Sequence, residues 1–96
     1  MPTLSSKEKA ALRGVAQQLR PAVHIGKNGL AASAVQELRK AFEREELIKV
    51  AFKAHRDELP QLIERVEQLT ESQCVGGVGK RRSFYRPQPT QSQMEG

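Results

Sequence analysis

Residues 23–35 read VHIGKNGLAASAV. Three strand-forming residues come first, then two glycines three positions apart, then a run of helix formers. A strand that feeds a helix is the opening half of a parallel crossover, so this stretch sets the fold class as α/β. One glycine is enough to turn a strand into a helix. The second, with Lys27 and Asn28 held between the pair, needs another reason.

Outward from this stretch, helices and strands alternate. On the N-terminal side, Ser5 and Glu8 have capping-box spacing, and Leu12, Val15, Ala16 and Leu19 share one helical face. Gly14 lies inside that helix at a cost of about 1 kcal/mol relative to alanine, which implies close packing there. Pro21 ends the helix. On the C-terminal side, Leu30, Ala34, Leu38, Ala41 and Phe42 mark an amphipathic helix running to Arg44. Ile48, Val50 and Phe52 then alternate with Lys49, Ala51 and Lys53, the period of a half-covered strand.

Asp57 is expected to cap a third helix, with Pro60 in its first turn and Leu59, Leu62, Ile63, Val66 and Leu69 inward. The run CVGGVGKRRSFYR, residues 74–86, reads as a hairpin turning at Gly79-Lys80. One domain over residues 1–87 is expected, followed by a flexible tail at 88–96, whose sequence lacks the apolar residues to fold.

The order is helix-strand-helix-strand-helix-strand-strand; strands separated by helices form parallel crossovers, almost always right-handed, so the first three strands are expected to be parallel. Their carboxyl ends then share one edge of the sheet, where open α/β sheets place ligands. That edge gathers the Gly26–Gly29 turn, the Lys53 to Arg56 segment and the Gly79-Lys80 turn. Lys27, Arg56, Lys80 and Arg81 are therefore expected to converge there.

Composition narrows the chemistry. At 96 residues and 38% hydrophobic content, a single core is feasible without metal or disulfide. Cys74 is alone, so no disulfide forms within the chain; His24 has no partner at metal-ligand spacing, and His55 is a loop residue near the basic edge. No apolar run is long enough to cross a bilayer, and a cytoplasmic location is expected. The net charge of +5 is polarised: between Asp57 and Gln73 five acids oppose only Arg65, so that segment carries −4 and the remainder +9. Such separation fits a polyanion partner.

The glycine turn suits the same partner. Helix-initial amides lack intrahelical acceptors and carry the positive end of the helix dipole. Glycines on either side would let a phosphodiester reach those amides without meeting a β-carbon, and Lys27 would add a full charge. The GxxG loop of KH domains clamps single-stranded backbone in this way. The turn is neither a Walker motif nor GxGxxG, so nucleotide binding is not expected. In GKRRSFYR, residues 79–86, Lys80, Arg81, Arg82 and Arg86 accompany Phe84, read as core, and Tyr85, which could pack or stack on a base. No nucleophile, paired carboxylate or cofactor motif is found, so no enzyme, cofactor or small-molecule substrate is expected.

Taken together, LRGVAQQLRPAVHIGKNGL (residues 12–30), ELIKV (46–50) and GKRRSFYRP (79–87) resemble the successive signatures of the CRM (chloroplast RNA splicing and ribosome maturation) domain, including the stand-alone bacterial YhbY-type proteins. The resemblance implies a four-stranded mixed sheet with helices packed on it, similar to the C-terminal domain of translation initiation factor three. It also implies RNA binding and association with precursors of the large ribosomal subunit. By position, Gly26, Lys27, Asn28 and Gly29 match the family's GxxG loop, Lys80 its GK turn, and Tyr85 with Arg86 its YR ending. Two departures stand out: Thr70-Glu71 replaces a usual Thr-Gly pair, and Gly77 and Arg82 stand where apolar residues are common. The expected partner is ribosomal RNA or a large-subunit precursor, bound by a monomer without membrane attachment. The rival expectation is a protein-interaction adaptor whose basic edge docks on an acidic partner.

Overall fold

The computed structural model describes residues 4–87, and the expected tail lies outside the described residues. Helix α1 (Ser6–Ala16) opens on a complete capping box. Ser5 Oγ accepts from the Glu8 N–H at 3.1 Å, and Glu8 Oε1 accepts from the Ser5 N–H at 2.8 Å. Only Ala16 of this helix is buried, and Val15 is 58% exposed. The close packing expected at Gly14 is not there, because a β-carbon on it would meet nothing within 4 Å. That glycine only weakens the helix. Gly14→Ala is expected to raise stability by about 1 kcal/mol, read from the urea midpoint.

Strands β1 (Pro21–Ile25) and β2 (Leu47–Phe52) pair in parallel, joined by α2 (Ala32–Arg44). Strands β3 (Gln73–Val78) and β4 (Arg81–Tyr85) form the hairpin, and β4 also pairs antiparallel with β2. The sheet order is therefore β1-β2-β4-β3. Because β4 opposes both neighbours, β3 points the same way as β1 and β2. The mixed α/β sheet is the expected one, with β4 wedged between two strands of like direction.

The alternation seen in sequence decides which face is apolar. Val23, Ile25, Ile48, Val50, Phe52 and Phe84 form the core with Leu38 and Phe42 of α2 and Leu59 and Val66 of α3 (Leu59–Thr70). The Phe52 and Phe84 rings meet at 6.4 Å and 55°, a tilted pairing favourable for aromatic quadrupoles. Helix α1 lies over the opposite face, held to β3 by Arg13 Nη1 donating to the Val75 carbonyl at 2.9 Å.

The start of α3 departs from expectation. A 3₁₀ turn (Arg56–Glu58) precedes it, capped by His55, whose Nδ1 accepts from the Asp57 N–H at 3.2 Å. Asp57 sits inside this turn with its own N–H as the capped group, so it is not the helix cap. At the other end, Glu71 holds the left-handed conformation (φ 56°), a place that glycine usually takes at a helix end. It is the one non-glycine with positive φ among the described residues.

Candidate nucleic-acid interface

Two backbone hydrogen bonds fix the geometry of the site. The Lys53 N–H donates to the Ile25 carbonyl and the Phe52 N–H to the Lys80 carbonyl, both at 2.8 Å. The first ties the residue preceding Gly26 to the end of β2. The second ties the hairpin turn to that same end. The Gly26–Gly29 loop, the 53–56 segment and the Gly79-Lys80 turn thus form one rim at the carboxyl ends of three like-directed strands. Lys27, Asn28, Lys53, Arg56, Lys80 and Arg81 are all exposed on these segments. Lys27 forms no ion pair within 4.0 Å among the described residues.

The two glycines divide the work of the loop. Gly29 has φ +87° and donates to the Gly26 carbonyl at 3.1 Å, so the chain itself requires a glycine there. Gly26 has no positive φ, and a β-carbon on it would meet nothing. Folding does not require it, and the backbone there is open to approach. Helix α2 begins at Ala32, later than the glycines themselves, and Ala31 gives it no side-chain cap. Its first turn holds no acid, so its amides and dipole stay available to an anion. Gly29→Ala is expected to cost about 1–2 kcal/mol of stability. Gly26→Ala should leave stability within about 0.5 kcal/mol, yet weaken RNA binding severalfold. Melting curves and fluorescence anisotropy on the two variants check this.

Not every expected residue reaches the rim. Arg82 pairs opposite Val50, is half-buried, and turns its Nε back to the Gly79 carbonyl at 3.0 Å. It braces the hairpin. Tyr85 pairs with Leu47, and the Arg86 N–H donates to the Glu46 carbonyl at 2.8 Å. Both therefore sit at the opposite edge of the sheet. The reason is strand direction: β4 runs away from the turn, and five extended residues carry its end about 16 Å off. There, partial burial and then the Glu46 and Glu8 carboxylates push the Tyr85 hydroxyl above its ordinary pKa.

The rim also has a negative neighbour. The Lys27–Leu30 part of the loop borders a cleft of about 370 Å³ whose other wall includes Glu58, Gln61, Leu62 and Arg65. That wall thus sets one carboxylate, Glu58, and one guanidinium, Arg65, beside the loop. The sequence places the Lys53 to Arg56 segment on this edge but singles out only Arg56 from it; the structure adds Lys53, exposed directly after β2. Sequence reasoning passed over Arg13, which meets Gly76 from 63 positions away with no local sign of doing so.

Among the described residues, no group of three or more His, Cys, Asp or Glu could hold a metal ion. Burial raises the pKa of the half-buried Cys74 thiol, which disfavours the nucleophilic thiolate. No helix of the described residues is long and apolar enough to cross a membrane.

Comparison with known proteins places this geometry in a family context. The CRS1 / YhbY (CRM) domain matches residues 4–86. An RNA-binding protein of Haemophilus influenzae is 38% identical over 88 residues, covering 91% of this chain and 89% of its own. A protein of Pseudomonas aeruginosa named as a probable RNA-binding protein is 30% identical, covering 90% of this chain and 84% of its own. The solution structure of a Staphylococcus aureus protein proposed to bind RNA superposes with a TM-score of 0.82 at 29% identity, covering 92% of this chain and 93% of its own.

Proposed function

The chain belongs to the CRS1 / YhbY (CRM) domain family, and from that premise we propose that it binds RNA through the three-segment rim. The phosphate backbone is the first target. Lys27, Lys53, Arg56, Lys80 and Arg81 supply charge, and the open Gly26 bend exposes peptide amides to the same anion. The observation that carries the reading is the pair of 2.8 Å backbone bonds joining Ile25 to Lys53 and Phe52 to Lys80. They hold the segments that carry distant cations at fixed spacing, so the backbone needs little ordering on binding.

The natural target in this reading is ribosomal RNA during large-subunit assembly, held by shape and accessible loops rather than by a long base sequence. The family resemblance supports that assignment. No chemical step is involved, and the protein acts as a binder.

Five phosphate contacts predict that log K falls against log salt with a slope of about −3.5, at about −0.7 per contact. Titrating a single-stranded RNA between low and moderate salt measures it. A slope near zero would remove the electrostatic mechanism. Co-sedimentation with precursor particles that survives loss of RNA affinity would instead identify a protein adaptor.

A further inference from the structure

Behind the rim, the sheet face opposite the core is only partly covered. The rung Val78–Arg81–Ala51–His24 runs across all four strands, by the registers Val78↔Arg81, Arg81↔Ala51 and Ala51↔His24. Val78 is 83% exposed, and Arg81 and His24 are exposed as well. Between this rung and the last turn of α1 lies an open cavity of about 520 Å³, bordered by Arg13, Gln17, Lys49, Gly77, Val78 and Arg81. No carboxylate lines it, in a chain that carries 11 acids.

Each wall has a feature suited to one ligand. Arg13 is held in place, with Nη1 bonded to the Val75 carbonyl at 2.9 Å and its stem crossing Gly76 so closely that a β-carbon there would come 2.6 Å from Cδ. A fixed guanidinium plane is a stacking surface for a base. Val78 offers an apolar contact at the mouth, and Gly76 and Gly77 line the cavity with bare backbone. Lys49 and Arg81 supply charge for a phosphate. Arg81 belongs to the rim as well, so a strand gripped there can continue into the cavity without leaving cationic surface. The volume lies within the range of small-ligand sites.

We propose that this cavity receives one unpaired nucleotide of the bound RNA, its base against Arg13, Gly77 and Val78 and its phosphate on Lys49 and Arg81. The proposal rests on the reading that the rim binds RNA. A paired nucleotide is excluded, because its faces are already stacked within the helix. The rim would then hold backbone of either kind, while the cavity selects for an unstacked residue.

The test compares a single-stranded RNA oligonucleotide with a blunt, fully paired duplex of equal length. Lys27→Gln, on the rim, is expected to weaken both. Lys49→Gln combined with Val78→Asp is expected to weaken the single strand by about tenfold and the duplex by less than about twofold. Amide chemical shifts of Gly76, Gly77 and Val78 in the unaltered protein should move with the single strand and not with the duplex. This second measurement keeps the test independent of variant folding. Equal losses on both RNAs, or shifts confined to residues 26–29 and 79–81, would overturn the cavity proposal and leave the rim standing. If Lys27→Gln changes neither affinity, the rim reading falls and takes the cavity with it.

Discussion

Reversing the two rim lysines together, Lys27→Glu with Lys80→Glu, is expected to lower affinity for single-stranded RNA at least about a hundredfold at physiological salt. Both side chains are exposed, on segments bonded to the end of the same strand. Each reversal removes a charge-assisted phosphate contact and places a repelling carboxylate where phosphate must pass. Surface screening keeps each effect modest, but the two act on one backbone and compound. Stability should change by less than about 0.5 kcal/mol, since neither substitution touches the core. The control is Arg86→Glu, which also reverses a cation but at the far edge of the sheet. Anisotropy titrations should show at most a few-fold loss for it. A loss matching that of the Lys27→Glu single variant would mean that net charge, not the rim, holds the RNA.

Gly77→Ala is expected to be the most damaging small substitution in the domain. A β-carbon at Gly77 would lie 2.1 Å from the Arg81 carbonyl oxygen and 2.9 Å from the Arg82 Cα. Both are backbone atoms of the adjoining central strand, which cannot swing aside as a side-chain tip can. The φ of +156° adds strain for any side chain. Overpacking and strain together cost about 3–5 kcal/mol, a large share of the 5–15 kcal/mol typical of small domains. The melting temperature should fall by at least about 15 °C. Gly79→Ala is the comparison: φ is +59° but nothing lies within 4 Å, so only about 1 kcal/mol is expected. Equal melting points for the two variants would show that the hairpin yields where the contacts say it cannot.

Much of this molecule could be read from local pattern. Ser5 and Glu8 announce α1 because a capping box is complete within four residues. Ile48, Val50 and Phe52 announce a strand because pleating alone puts them on one face. The rim followed from the helical crossovers, which set the direction of the first three strands, though the order β1-β2-β4-β3 came only with the structure. The misreadings have a common cause, in that they depended on direction or on distant partners. Tyr85 and Arg86 belong in sequence to a basic run that begins at the rim, yet β4 carries them to the opposite edge. Gly14 was credited with a close neighbour, and that neighbour exists at Gly76 instead, where Arg13 crosses it. Asp57 has the composition of a cap, but a tight turn capped by His55 comes before Pro60, and α3 itself starts after Glu58 with no side-chain cap.

The wedge position of β4 bears on how the fold is made. Among the described residues this strand comes last in the chain, yet it is the only bridge between β2 and β3 and brings the fully buried Phe84. A growing polypeptide can close the β1–α2–β2 crossover early, from near neighbours. It cannot complete the sheet, or set Lys80 against β2, until nearly all of the domain has been synthesised. Such late, long-range strand insertion slows folding. It also means that a half-made chain presents only a fragment of the basic edge, and the grip on RNA arrives together with the finished domain.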